Sequence, residues 1–267
     1  MFKTVSMNQE LTYCANEVRE HDPDRFLLSM LMPADRREAL FALFAFNYEI
    51  AKTREVVSET QLGLIRLQWW REAIVEIYQS GVALEHEVLQ SLARVIDVYD
   101  IPQVLFEDLI YAREFDLEDV LPGDLEGMLK YVDYTSTPLM KMVMHVLDAG
   151  EEEEIVRGVA MNYALVGILR SVPFLAQERR CYLPQDLLNT HEQRMDHLYE
   201  GKAAIGLKQV VREVAVRFDW NLKPRNKFLR SSLKLSKLYV KQIQACDYDV
   251  YNPKMALEPL FKALRIL

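Results

Sequence analysis

Apolar positions recur at three- and four-residue spacing along almost the whole chain. This pattern predicts helices over 8–20, 34–58, 60–80, 85–98, 102–113, 124–147, 151–177, 184–189, 191–199, 203–218 and 225–245, joined by short breaks. Alternating β-branched runs are scarce, so the expected fold class is all-α. Pro33, Asp35 and Glu38 have the spacing of a helix start with a capping box. The stretch ALFALFAF at 39–46 is apolar on every side, which places it at the centre of the molecule. Pro173, late in the 151–177 segment, is expected to kink or end its helix.

Half of the 267 residues are apolar, enough for one large core or two small ones, and 9 Gly against 11 Met favours helix over sheet. Cys14, Cys181 and Cys246 are far apart and form no Cys-x-x-Cys pair, so neither a disulfide framework nor a zinc ribbon is expected. Arg179 and Arg180 precede Cys181 and could lower its pKa, although a buried thiol is the plainer expectation. The five histidines lack metal spacing. No stretch reaches the roughly 18 to 20 uncharged apolar residues of a membrane span, and the N-terminus resembles neither a signal nor a transit peptide. A cytoplasmic protein follows, peripheral at most to a membrane.

Charge changes that picture in one place. The chain carries −8 overall, yet residues 202–241 hold eleven Lys or Arg against two acids. Within that segment Arg230, Lys234, Lys237 and Lys241 follow helical spacing and form a stripe suited to an anionic membrane surface or an acidic partner, or else simply to water. Few aromatics accompany the stripe, so nucleic acid is not expected as a partner.

Polar residues directly after the central apolar helix draw attention. In NYEIAKTREVVSE, 47–59, helical spacing puts Asn47, Ala51, Glu55 and Glu59 along one line. In MNYALVGILRSVPFLAQERR, 161–180, Ser171 and Leu175 occupy a comparable pair of turns. RFLLSMLMPADRREALFALFAFNYEI, YAREFDLED, GILRSVPFLAQERRCYLPQDLL and YVKQIQACDYDVYNP resemble the corresponding segments of the squalene and phytoene synthases. The resemblance runs from about residue 21 to 267, with 1–20 as an N-terminal extension. It implies a single-domain isoprenoid-synthase-like bundle with a central apolar cavity. In that family two Asp-x-x-x-Asp helices hold Mg²⁺, which draws charge off a diphosphate leaving group.

The family's four aspartates fall here on Ala51, Glu55, Ser171 and Leu175. One ion pair about 4 Å apart is worth roughly 4 kcal/mol at an effective dielectric near 20, so losing three acids removes metal-dependent ionisation. No metal or other cofactor is therefore expected. Glu55 and Glu59 could form a substitute pair only on the first helix. The elements AFNYEIAKTREVVSETQLGLIRLQWWREA, LRSVPFLAQERRCYLP and DYDVYNP are similar to one branch of the family, a complex I (NADH:ubiquinone oxidoreductase) assembly factor. That implies a non-catalytic pseudoenzyme at the inner membrane, working on a complex I subunit or assembly intermediate and able to keep an isoprenoid or lipid ligand. The alternative is a Mg²⁺-dependent head-to-head prenyltransferase of isoprenoid biosynthesis.

Candidate pocket residues are Arg37, Glu49, Glu55, Glu59, Arg113, Asp116 and Arg170. Arg37 matches a diphosphate-contacting arginine by resemblance, or is a surface residue beside Asp35. Arg170 needs an acidic partner, for which Glu49, Glu55 or Asp116 could serve. Arg66, Trp69, Trp70 and Arg71 could form a partner surface, with at least one Trp in the core.

Overall fold

The computed structural model describes residues 11–118, 120–202 and 205–267 and shows, among them, helices and no strand. In chain order these are α1 Tyr13–His21, α2 Pro23–Met30, α3 Ala34–Ala51, α4 Thr53–Val56, α5 Thr60–Ser80, α6 Glu87–Tyr99 and α7 Gln103–Glu114. After a 3-10 turn at Phe115–Leu117 come α8 Leu125–Val146, α9 Glu153–Gln177, α10 Gln185–Thr190, α11 Met195–Tyr199, α12 Ile205–Ala215, α13 Lys227–Ala245 and α14 Lys262–Ile266. Predicted helix positions 8–10 and 203–204 lie outside the described residues.

Every residue from Ala39 to Asn47 is buried, so α3 is the central helix the sequence implies. It packs on α1, α2, α6, α7 and α8, while α8 and α9 form a long antiparallel pair and α13 packs on α9. By length and composition alone α9 is apolar enough to cross a membrane, with a mean hydropathy of 1.5. Val159, Leu165 and Leu169 are buried in the bundle core, and 44% of that apolar stretch is buried in all.

Local chemistry explains the joints. Asp22 turns the chain from α1 to α2 by accepting from the Arg25 backbone N–H at 2.9 Å and from its guanidinium at 2.8 Å, with Pro23 as the first helical residue. The sequence pattern passes over α2, whose start is set by Pro23 and the Asp22 cap rather than by apolar spacing. The capping box at 35–38 does not form. Pro33 holds the N-cap position, and Glu38 instead accepts from the Thr12 hydroxyl at 2.7 Å, tying α3 to the start of α1. Pro173 does not end its helix, which runs four residues further. The carbonyl one turn before a proline loses its helical donor, a cost that packing on α8 and α13 outweighs here.

Candidate functional site

The predicted helix 34–58 breaks at Lys52, and that break decides what the first motif can do. Ala51 ends α3, Glu55 sits exposed on the four-residue α4, and Val57 is extended. Glu59 is the exposed, extended residue that caps α5. Glu55 and Glu59 therefore share no helix face, and the substitute carboxylate pair does not exist. On α9 the Ser171 hydroxyl donates to the Ile168 carbonyl at 3.0 Å, and Leu175 is half-buried.

The buried acid that remains nearby is already neutralised. Glu49 is buried on α3 and held by Lys52 Nζ at 2.7 Å and by the Arg66 guanidinium at 2.8 Å, which ties α3 to α5. Arg37 is half-buried and donates from Nε to the Met32 carbonyl at 2.9 Å, bracing the α2–α3 turn. Its neighbour Arg36, not Arg37, pairs with Asp35 at 3.3 Å.

Arg113 and Asp116 are brought together in a buried polar cluster that joins four parts of the bundle. Asp116 accepts from Tyr131 at 2.7 Å on α8 and from Tyr182 at 2.8 Å, beyond the end of α9. It also accepts from Arg113 Nη1 at 3.3 Å, while Arg113 Nη2 donates to Asn47 on α3 at 3.4 Å. The two phenol rings stack at 4.9 Å. Burial first, then the Asp116 charge, pushes the Tyr131 and Tyr182 phenols up from their ordinary value, so they stay protonated donors. Burial opposes the Arg113 charge, but Tyr131, Asp116 and Tyr182 outweigh it and raise the guanidinium further.

Arg170 finds a partner the sequence did not suggest. None of Glu49, Glu55 and Asp116 serves; its guanidinium reaches Asp24 on α2 at 3.3 Å and lies 3.5 Å from the Tyr239 ring centroid. Tyr239 donates to Asp24 at 2.8 Å, and Lys262 of α14 reaches the same carboxylate at 2.7 Å. Asp24 is one acid in an ordinary first helical turn, and 146 residues separate it from Arg170, so no local pattern announces it. Trp70 is fully buried edge-on to Phe46, whereas Trp69 keeps 38% of its surface exposed. Of the basic stripe, Arg230, Lys234 and Lys241 are exposed, and Lys237 is half-buried with its ammonium over Trp220.

Cys181 does not have the lowered pKa its two arginine neighbours suggest. Burial pushes the thiol up to about 11, and Arg180 turns instead to Tyr182 and Glu178. Ellman's reagent at pH 8 is therefore expected to leave Cys181 unmodified in the folded protein and to react once it is unfolded. Rapid labelling of the native chain at this position would contradict the burial.

The hollow between α2, α3, α8, α9 and α13 is about 10 Å³, lined by Phe44, Leu139, Tyr163 and Phe228 together with Arg25 and two serines. A larger hollow of about 360 Å³ lies outside it, walled by Asp24, Arg170, Ser236 and Tyr239. Mg²⁺ requires several oxygen ligands in near-octahedral array. A methyl group at 51, an isobutyl at 175, a committed hydroxyl at 171 and one exposed carboxylate at 55 do not fit that ion. Among the described residues, no three His, Cys, Asp or Glu side chains gather as metal ligands would.

A family model described as squalene/phytoene synthase matches residues 18–219. A complex I assembly factor 6 protein of Bos taurus is 26% identical over 255 residues, spanning 91% of this chain and 76% of that protein. A phytoene synthase of Thermus thermophilus is 27% identical over 212 residues, covering 78% and 70% of the two. Among solved structures, a ligand-bound dehydrosqualene synthase superposes with a TM-score of 0.77 at 15% identity, covering 95% of this chain and 92% of that one. A squalene synthase from Alicyclobacillus acidocaldarius gives 0.73 at 16% identity, covering 88% and 93%.

Proposed function

We propose that this chain, which belongs to the squalene/phytoene synthase family, has given up prenyl transfer and serves in assembling respiratory complex I. One observation carries this: the two helices that should each present a pair of carboxylates one turn apart present Ala51 with an exposed Glu55, and Ser171 with Leu175. Without paired acids there is no cradle for the ions that ionise an allylic diphosphate. Relatives called complex I assembly factor 6 in Bos taurus and Homo sapiens, each aligned over more than nine-tenths of this chain, supply the role. The partner is then a complex I subunit or an assembly intermediate, and the chain works as a peripheral protein on the cytoplasmic face of the membrane holding that complex.

No cofactor is invoked. A prenyl or quinone-like tail does not fit a central space of about 10 Å³, which admits a water, so an isoprenoid or lipid ligand would have to lie in an outer hollow such as the one beside Asp24 and Arg170. The competing activity, Mg²⁺-dependent head-to-head prenyl transfer, draws on the phytoene synthase relatives.

Two measurements separate these. Purified protein with Mg²⁺ and farnesyl or geranylgeranyl diphosphate is expected to give no C30 or C40 product above a protein-free control. Deleting the gene should lower assembled complex I with the isoprenoid profile unchanged, and Glu55→Ala should complement as well as wild type. Product formation abolished by Glu55→Ala, or normal complex I in the deletion strain, would overturn the proposal.

A further inference from the structure

Leu257, Leu260, Phe261, Leu264 and Leu267 are 65, 78, 75, 69 and 55% exposed, five large apolar side chains facing water within eleven residues. The segment that presents them is fixed in place. Gln242 of α13 donates to the carbonyls of Lys254 at 2.7 Å and Leu257 at 2.8 Å. Ser231 donates to the Ile266 carbonyl at 2.8 Å, and Lys262 is held by Asp24. Phe261 itself has φ +54, a left-handed backbone that costs an L residue roughly 1–2 kcal/mol and here turns the ring outward.

These anchors lay the segment antiparallel along α13, beside its exposed cations. Arg230 and Lys241 are next to Ser231 and Gln242, and Lys234 follows Ser231 by three residues. Lys254 and Arg265 are also exposed, and the one acid between 250 and 267, Glu258, is paired with Lys262. An apolar strip flanked by cations that face no acid among the described residues has the make-up of a surface that lies in a bilayer interface rich in anionic lipid. A second copy is a poor occupant, because a two-fold contact would set the cationic stripe against itself.

We propose that residues 254–267 and the α13 stripe form one membrane-seating surface. Leu260, Phe261 and Leu264 enter the headgroup boundary, while Arg230, Lys234, Lys241 and Arg265 contact anionic headgroups. This rests on the peripheral placement given above and not on the assembly role.

Flotation of the full chain with phosphatidylcholine vesicles, with and without phosphatidylglycerol, tests it. Binding should be at least about ten-fold stronger to the anionic vesicles, weaken in high salt, and fall about five-fold for each of Lys234→Ser and Lys241→Ser. The triple variant Leu260→Ser, Phe261→Ser, Leu264→Ser should lose most of the binding with its helical circular dichroism and melting unchanged. A Phe261→Trp reporter should blue-shift on vesicle addition and be quenched by brominated acyl chains. Equal binding to both vesicle types, or full binding by the triple variant, would overturn the surface. So would an indole in the Phe261→Trp variant already shielded from iodide without lipid, which would mean that protein covers the strip. Normal complex I in the deletion strain with intact vesicle binding would remove the assembly role alone. Lowered complex I with no vesicle binding would remove this surface alone.

Discussion

Replacing Asp116 by alanine is expected to destabilise the folded state by about 3–5 kcal/mol, the usual consequence of stranding a buried charge. The side chain is 5% exposed and is the acceptor for Arg113, Tyr131 and Tyr182 at once. Without it the Arg113 guanidinium, 12% exposed, keeps only long bonds to Asn47 and Tyr131, and its Nε has no partner even in the intact protein. Two phenols lose their acceptor as well. A urea titration of wild type and variant reads the difference directly. The double change Asp116→Leu with Arg113→Met should cost markedly less than either single change, since both charges then leave together.

The same cluster sets a pH dependence. Its phenols ionise above the ordinary value near 10, with burial the larger cause and Asp116 the next. Above pH 10 the unfolded chain therefore holds fewer protons than the folded one, so stability is full below that pH and falls as pH rises. Asp116→Asn should lessen this alkaline loss without abolishing it, because burial remains. A loss below about 1 kcal/mol for Asp116→Ala would mean that the cluster is not structural.

The sequence shows the bundle clearly, because the helices are long and the central one is apolar on all sides. Ala39 to Asn47 could bury every face only inside other helices, and they do. What it hides are features set by one or two backbone angles or by distant partners. The break at Lys52 falls within an unbroken helical pattern, and with it goes the alignment of Glu55 with Glu59. Pro173 reads as a kink or a stop, and tertiary packing carries the helix through it. Arg113 and Asp116 are three residues apart, so their pairing was legible, whereas Tyr131 and Tyr182 join them only through the fold. The missing motif acids needed no structure at all to be seen.

Asp24→Ala is the second change expected to cost about 3–5 kcal/mol, and its effect should spread to the far end of the chain. This carboxylate, 13% exposed, is shared by Arg170 of α9, Tyr239 of α13 and Lys262 of α14. Its loss leaves Arg170 facing the Tyr239 ring, and Lys262 with the exposed Glu258 and a long bond to the Tyr239 hydroxyl at 3.4 Å. Tyr239→Phe removes one donor and leaves the charges paired, so about 1 kcal/mol is expected there. Because Lys262 is one of the anchors that fix the C-terminal segment, hydrogen exchange over 257–267 should speed up in Asp24→Ala well beyond what global unfolding explains. Vesicle binding should fall with it, although no residue of the apolar strip has changed, since a loosened segment must be ordered at the interface at an entropic cost. Unchanged exchange in that segment would show that Ser231 and Gln242 hold it unaided and that Asp24 matters only to α2, α9 and α13.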